Sequence, residues 1–188
     1  MEGEIETLHK LLHYYKGNLN SRLLYITGPD SLYEDTTGKT LMVRSAEEFC
    51  RQYGELHQIA VKILRVPYLY SGTYEKDYFF KLFSTVINKK QITFEEAPAQ
   101  EMHFLALSDL GDLLYKIFDN WGEGSACLQV PQVFHFTFQQ FGERLAQMFP
   151  TANITYLSDV LIRDGISDDH VLRNEYGWFP KISLLEDL

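Results

Sequence analysis

The fold of this 188-residue chain is decided by residues 22–66, where RLLYIT at 22–27 and IAVKILRV at 59–66 flank a helical segment at 45–54. The two flanking runs are short and mostly apolar, which predicts buried β-strands. Between them, Ala46, Phe49, Cys50 and Tyr53 share one helical face, and Gly54 is a suitable end for the helix. Because strands joined by a helical crossover pair in parallel, we expect an α/β fold built on a parallel sheet.

The same alternation extends outward from this segment. Ser45 and Glu48 match a capping box, which places the start of the helix at Ser45. A further helix at 4–16 precedes the first strand, with Ile5, Leu8 and Leu12 on one face. In the second half, helices are predicted at 78–88, 110–122, from 138 onward and at 167–177, and strands at 91–95, 102–107, 126–130 and 153–157. The predicted linker is 71–77, so the single domain divides into residues 1–72 and 73–188.

Composition excludes several classes of protein. Apolar residues make up 45% and charged residues 23% of the chain, which is typical of a globular domain. The net charge of -9, from 17 basic and 26 acidic residues, argues against a nucleic acid or an anionic membrane surface as the main partner. Neither a secretory signal nor a membrane-spanning stretch is recognisable, and two cysteines are too few for a disulfide scaffold. We therefore expect a cytoplasmic protein with reduced thiols.

Motifs for metal, phosphate or nucleophilic chemistry are weak. Gly38-Lys39-Thr40 resembles the end of a phosphate-binding loop, but Tyr33 occupies the position of the required first glycine, and the triplet is expected in a loop. His9 and His13 have helical i, i+4 spacing without an obvious third metal ligand, so surface or interface histidines are expected. Cys50 and Cys127 lie in apolar patterns, which predicts buried structural thiols. No metal site is expected.

Several segments, in the right order, resemble the extended short-chain dehydrogenases, the NAD-dependent nucleotide-sugar epimerases and dehydratases. The similar stretches are LLYITGPDSLY at 23–33, SAEEFCRQY at 45–53, IAVKILRVPYLYS at 59–71, HFLALSDL at 103–110 and YGWFPKISL at 176–184. The resemblance implies a partial Rossmann-like parallel sheet with flanking helices in residues 1–72. It also implies that 73–188 contain the smaller α/β substrate-type region of that family together with returning elements.

This sequence departs from the family at the positions that carry its chemistry. The family's first segment of about 100 residues, roughly three or four βα units, is absent, and with it the glycine-rich dinucleotide fingerprint. The catalytic serine position falls at Pro29, with Thr27 as the only nearby hydroxyl, and the catalytic tyrosine and lysine fall near Lys39 and Val43. The substrate-binding arginine falls at Met102 and an asparagine at Tyr68. We therefore expect no bound cofactor and a chain that is degenerate and not an enzyme.

The leading functional hypothesis is a dimerisation, protein-interaction or regulatory module, in a larger protein of surface polysaccharide biosynthesis. Its partner is expected to be a second copy or another protein domain, because the family dimerises through the equivalents of helices 4–16 and 45–54. The expected interface residues are Leu8, Leu12, Tyr15, Phe49 and Tyr53. The alternative for these apolar faces is that they pack on the chain's own sheet.

Two alternative functions stay open. The chain is either a sensor of nucleotides or nucleotide sugars, or a fragment of an NAD-dependent epimerase or dehydratase that another chain completes. The residues expected to line a ligand cleft are Arg65, Tyr68, Tyr70, His103 and Arg163. The sensor alternative predicts a thermal shift with a nucleotide or nucleotide sugar, and the fragment alternative predicts NAD retention on mixing with the completing chain.

Overall fold

The computed structural model describes residues 2–16, 20–32, 38–71, 78–123, 126–131, 136–161 and 169–182. The first half contains α1 (Glu2–Tyr15), β1 (Arg22–Thr27), α2 (Gly38–His57), β2 (Ala60–Arg65) and β3 (Tyr68–Tyr70). The second half contains α3 (Tyr78–Lys89), β4 (Gln91–Phe94), β5 (Phe104–Ala106), α4 (Leu107–Asp119), β6 (Ala126–Gln129), α5 (Phe138–Met148), β7 (Asn153–Tyr156) and α6 (Asp169–Tyr176).

The main sheet contains three parallel strands in the order β1, β2, β6. Tyr25 of β1 lies opposite Ile63 of β2, which lies opposite Cys127 of β6. Two smaller parallel pairs, β3 with β5 and β4 with β7, form a second region. The α/β fold with a parallel sheet and flanking helices is therefore confirmed. Because β6 comes from the second half of the chain, both halves build the main sheet.

Helices cover both faces of the main sheet. On one face, α1 and α2 pack against alternate residues of β2, and the buried members of this core are Leu8, Leu12, Cys50, Ile59, Val61 and Ile63. On the other face, α4 and α6 pack against the remaining side chains, and this larger core includes Leu64, Leu113, Ile117, Leu128, Leu172 and Trp178. Strand β2 is consequently buried on both faces, as strands in a doubly covered parallel sheet are.

The smaller strand pairs form a separate core that is rich in aromatic rings. The fully or largely buried rings are Tyr70, Phe79, Phe94, Phe136, Phe138 and Phe141. The Phe79 ring lies 4.6 Å from Phe104 and 5.4 Å from Phe141, distances at which edge-to-face and tilted pairs are favourable. A capping box between Thr137 and Gln140 begins α5 and so orients its phenylalanines toward this core.

Helix α2 is longer at both ends than the sequence predicts. It begins at Gly38, so Gly38-Lys39-Thr40 opens a helix and is not in a loop. Ser45 is an interior residue whose hydroxyl donates to the Leu41 carbonyl oxygen at 2.7 Å, an i−4 bond that replaces the expected capping role. Within the described ranges no helix, α2 included, is both long and apolar enough to cross a membrane.

Gly54 does not end α2 as predicted. The helix continues to His57, and Gln58 takes the left-handed conformation with φ of 57° that turns the chain into β2. A Cβ atom at Gly54 would lie 2.5 Å from Cγ2 of Val61. The glycine is therefore required for the close approach of α2 to β2, and its conformational freedom is not used.

Candidate functional site

The carboxyl ends of β1, β2 and β6 meet at one edge of the main sheet because the three strands are parallel. In open parallel sheets this edge is where ligands bind. Here it contains Thr27 at the end of β1, Arg65 at the end of β2 and Gln129 at the end of β6. A 3₁₀ turn at Pro29–Ser31 follows β1 and closes part of this edge.

A buried polar network joins these strand ends to α2. Glu47 of α2 accepts a hydrogen bond from the Thr27 hydroxyl at 2.9 Å, and its carboxylate pairs with the Arg65 guanidinium at 2.6 Å. Thr27, Ser31 and Glu47 are each no more than 5% exposed. The hydrogen bonds that Arg65 donates to Glu47 raise the pKa of Arg65, although partial burial opposes this. The Arg65 guanidinium, expected to face a ligand cleft, is instead paired with an internal carboxylate.

Ser31 supplies a second buried hydroxyl group at this edge, which the sequence analysis did not predict. Its hydroxyl oxygen lies 3.1 Å from that of Thr27, and it donates to the Gly28 carbonyl oxygen at 2.6 Å. The prediction that Thr27 is the only hydroxyl near the position of Pro29 is therefore wrong. The turn at Pro29–Ser31 folds Ser31 back beneath the strand, and the Pro-Asp-Ser sequence, typical of turns, was the available signal.

Next to this network lies a cluster of acidic groups around Tyr68. Burial raises the pKa of the Tyr68 phenol, and the carboxylates of Glu96 and Asp30 raise it further. Burial also raises the pKa of Glu96, while its hydrogen bond with Tyr68 acts in the opposite direction. Tyr68, Glu96 and Asp30 therefore form a partly buried acidic cluster, in which burial favours the neutral form of both the phenol and the Glu96 carboxyl group.

The remaining predicted cleft residues do not gather at this point. Tyr70 is buried in the aromatic core, and its hydroxyl lies 3.5 Å from the Ile182 carbonyl oxygen. His103 is buried, and its carbonyl oxygen accepts the backbone hydrogen bond from Tyr68 at 3.0 Å. Arg163 lies outside the described residues. Of the four described residues expected to line one cleft, Arg65 and Tyr68 lie near the strand edge, Tyr70 lies in the aromatic core, and His103 is buried beside Tyr68.

The family's catalytic positions fall at the first turns of α2. Lys39 is exposed there, and Val43 is half-buried. Met102, at the family's arginine position, is 1% exposed and belongs to the aromatic core. Solvation therefore accounts for Lys39, partial burial accounts for Val43, and hydrophobic packing accounts for Met102.

The two cysteines occupy different environments. Cys50 is fully buried between α2 and the sheet, and burial raises the pKa of its thiol to about 12, so the thiolate nucleophile does not form near neutral pH. Cys127 is exposed, contrary to the prediction of a buried thiol, because β6 is an outer strand of the sheet. Among the described residues, no three or more histidine, cysteine or acidic side chains are placed to hold a metal ion.

Of the five expected interface residues, two belong to the chain's own core. Leu8 is 9% and Leu12 is 1% exposed, because both pack against the sheet beneath α1. Tyr15 is 44% exposed, and Phe49 and Tyr53 are half-buried. The alternative of packing on the sheet therefore holds for Leu8 and Leu12, and in part for Phe49 and Tyr53, whose rings contact the same core. An interface through Tyr15 and the exposed parts of Phe49 and Tyr53 stays a prediction.

Phe49 and Tyr53 form a cluster of rings with histidines on the outside of α1 and α2. The His9 ring lies 6.1 Å from Phe49 and 5.8 Å from Tyr53, and the His57 ring lies 4.2 Å from Tyr53. We call His9, His13, Phe49, Tyr53 and His57 the aromatic–histidine face. The role of His57 was missed, although its i+4 spacing from Tyr53 within one helix was a visible signal.

The outer edge of β1 is a second exposed surface. Within the described residues β1 pairs only with β2, so its other edge has no neighbouring strand. Ile26 of β1 is 41% exposed, and on α1 the side chains of Leu11 and Tyr14 are 44% and 80% exposed. An apolar strand edge with unpaired backbone groups is a surface on which another polypeptide can add a strand.

Comparisons with known proteins show a similarity of fold and do not identify a family. No family model matches the sequence, and no curated protein matches it. Among solved structures, MoeE5 in complex with UDP-glucose and NAD superposes with a TM-score of 0.74 at 15% identity, over 94% of this chain and 65% of MoeE5. The UDP-glucuronic acid 4-epimerase of Bacillus cereus has a TM-score of 0.79 at 16% identity, over 97% of this chain and 63% of the epimerase.

A third neighbour is the GalE-like L-threonine dehydrogenase of Cupriavidus necator, with a TM-score of 0.74 at 17% identity over 97% of this chain and 68% of the dehydrogenase. The named neighbours include an epimerase and a dehydrogenase, which contradicts the prediction that the chain is not an enzyme. The chain thus spans about two thirds of the length of these neighbours. It has the fold of the NAD-dependent epimerases and dehydratases of the short-chain dehydrogenase type.

Proposed function

We propose that this chain is a protein-association module with a short-chain dehydrogenase fold, and that its aromatic–histidine face binds a second copy. The observation that supports this proposal is the apolar stripe beside that face. Met42 and Leu56 of α2 are 39% and 75% exposed and have the same helical spacing as half-buried Phe49 and Tyr53. Two such stripes related by a two-fold axis bury each other's apolar side chains.

The charges around this stripe favour a second copy as the partner. A chain with a net charge of -9 repels its copies unless they meet at a surface that carries no like charges. The aromatic–histidine face contains no carboxylate. Four carboxylates of α1 and α2 are in ion pairs, namely Glu6 with Lys10, Glu47 with Arg65, and Glu48 and Glu55 with Arg51. These pairs reduce the like-charge repulsion between two copies that approach along this face.

Sedimentation velocity of the purified chain tests this proposal. We expect a concentration-dependent dimer that Leu56→Glu weakens at least about tenfold, because two carboxylates then face each other across the two-fold axis. Ile87→Glu is the matched control, since Ile87 is 65% exposed on α3, away from this face. A wild-type chain that stays monomeric at tens of micromolar, or a dimer equally weakened by both variants, would overturn the proposal.

The open edge of β1 favours a second candidate function. A polypeptide that adds parallel strands there would extend the three-stranded sheet toward a complete dinucleotide-binding sheet. Under this candidate the chain is one part of an NAD-dependent nucleotide-sugar epimerase or dehydratase, in an assembly that serves surface polysaccharide biosynthesis. The test is NAD retention on gel filtration after mixing with a separately expressed dinucleotide-binding segment of the Bacillus cereus epimerase. Absence of NAD from the mixed complex counts against this candidate.

A sensor of nucleotide sugars is less favoured by the geometry. Asp30 and Glu96 lie close enough to Tyr68 to raise the pKa of its phenol, and these carboxylates repel a diphosphate. Thermal unfolding with UDP, UDP-glucose and NAD separates the possibilities, because a ligand of the folded chain raises the midpoint. An unchanged midpoint with all three agrees with association, whereas a rise with UDP-glucose alone supports the sensor.

A further inference from the structure

We propose that the dimer formed through the aromatic–histidine face is a pH switch, which dissociates when the histidines of that face gain protons. This inference rests on the proposed function, since it concerns regulation of the same surface. It is carried by three imidazoles that converge on one phenol from two different helices. Nothing in self-association itself requires histidines at these positions.

The geometry brings the imidazoles close together. The His9 and His13 rings are 6.0 Å apart on α1, and the Tyr53 hydroxyl lies 3.4 Å from Nδ1 of His13. On α2, the His57 ring lies 4.2 Å from the Tyr53 ring. A two-fold axis through this face would double the number of imidazoles, so that six lie within one interface.

Protonation changes the character of this surface. A histidine side chain exchanges its proton between about pH 5 and pH 8. Neutral rings pack against Phe49 and Tyr53 in the same way as other aromatic side chains. Once protonated, His9 and His13 place two positive charges about 6 Å apart at a surface that the second copy would remove from water.

The surrounding groups do not neutralise these charges. On α1, Glu6 is paired with Lys10 at 2.6 Å, and on α2, Glu48 and Glu55 are both bonded to Arg51. Lys16 beyond α1 adds a further cation. The other nearby titratable side chains on α1 are the phenols of Tyr14 and Tyr15.

Of the ionisable groups on the strands, the Tyr25 phenol of β1 packs against the same core as Phe49 and Tyr53. Other ionisable groups of the packing elements lie elsewhere. Glu47 of α2 is bonded to Arg65 of β2 inside the strand-edge network. Arg22 of β1 and Lys62 of β2 lie over the Trp121 ring on the opposite face of the sheet. His57 occupies the last turn of α2.

The direction of the effect separates this switch from general charge effects. The sequence isoelectric point is about 5.1, so acidification toward that value removes net charge from the chain. Loss of net charge by itself promotes self-association. A histidine switch predicts the opposite result, namely weaker dimerisation as the pH falls.

Sedimentation velocity of the 188-residue chain at about pH 8 and about pH 6 tests the switch, with circular dichroism confirming that the chain is folded at both. We expect the dimer dissociation constant to rise at least about tenfold at the lower pH. In the triple variant His9→Gln, His13→Gln, His57→Gln, the constant is expected to change less than about threefold between the same pH values. The control His170→Gln, on α6, is expected to keep the wild-type pH dependence.

The outcomes distinguish the switch from the proposed function. A dimer of equal or greater strength at the lower pH overturns the switch and leaves the association surface intact. A triple variant that keeps the wild-type pH dependence also overturns the switch. A chain that is monomeric at both pH values overturns the proposed function, and the switch with it.

Discussion

Strands β1 and β2 have nearly the same sequence character and very different surroundings. Each contains six residues, RLLYIT in β1 and AVKILR in β2, and they pair in parallel along their whole length. In β2 the four central residues are all buried, whereas in β1 only Thr27 is buried and Ile26 is 41% exposed. An apolar run therefore predicts a strand, but does not determine whether the strand is central or at an edge.

The cause of the difference lies in the neighbours. Strand β2 has a strand on each side and helices on both faces, whereas the described neighbours of β1 include a strand on one side only. Each face of β2 therefore loses its contact with water, and each side chain gains packing partners. For β1, the same residue types leave an apolar edge that is suited to association. The experiments below test how much more β2 contributes to stability than β1 does.

The largest effect is expected from truncating one leucine in each strand. Leu64 of β2 is fully buried, and Leu64→Ala is expected to lower the free energy of unfolding by about 3 kcal/mol through lost burial and a cavity. Leu24 of β1 is only partly buried on the same face, so Leu24→Ala is expected to lower it by about 1 kcal/mol. Urea denaturation measures both. Equal losses of stability would show that Leu24 in β1 is packed as tightly as Leu64 in β2.

The next effect concerns the network that ties the two strand ends together. Glu47→Gln keeps the shape and the acceptor for Thr27 but leaves the Arg65 guanidinium without its counter-charge. We expect a loss of about 2 kcal/mol in the free energy of unfolding. Glu48→Gln is the matched control on the solvent side of α2, where the midpoint should change little because the pair with Arg51 is exposed. Equal effects of the two variants would contradict a special role for the buried network.

The smallest effect distinguishes β2 from β1 through a buried charge. Lys62 of β2 is 3% exposed, and burial lowers the pKa of its ammonium group, although Glu175 partly offsets this. Lys62→Met is therefore expected to raise the free energy of unfolding near pH 7 by about 1 kcal/mol. Arg22→Met, which alters the exposed cation of β1 over the same Trp121 ring, is the control and should change it little.

The same variant predicts a pH dependence. Because the folded chain holds the Lys62 proton less tightly than the unfolded chain does, the stability of the wild type gains from rising pH between the lowered pKa and the ordinary value of 10.5. The advantage of Lys62→Met is therefore expected to shrink as the pH approaches about 10. Denaturation of both proteins between neutral and alkaline pH measures this difference. A difference that is constant across the range would show that the burial of charge is not its cause.

Local patterns predicted the order of the helices and of the strands except β3, which was missed, but they did not predict the ends of elements. The helix–strand alternation of residues 4–66 predicted α1, β1, α2 and β2 correctly, because periodicity depends on residues near each other in the chain. The limits of α2 were misjudged at Ser45 and Gly54. Ser45 has an alternative bond to the Leu41 carbonyl oxygen, and Gly54 is required by the contact with Val61, which is a tertiary constraint.

The candidate sites show the same division. The resemblance to the epimerases led to the prediction of an interface that includes Phe49 and Tyr53, and it stays a prediction. The sequence could not show that Leu8 and Leu12 are buried against the chain's own sheet, or that Arg65 is bonded to Glu47 eighteen residues earlier. Those outcomes depend on which side of each helix meets the sheet, a choice made by the packing of all elements together.

By itself, the order of apolar periods determined that this chain forms a parallel α/β sheet with flanking helices, because each period permits only one kind of secondary structure and each crossover only one strand direction. Only the tertiary structure decided which apolar residues stay exposed. Burial depends on neighbours that are distant in the chain: among the described strands, β2 lies between two and β1 has one. The exposed edge of β1 arises from that asymmetry.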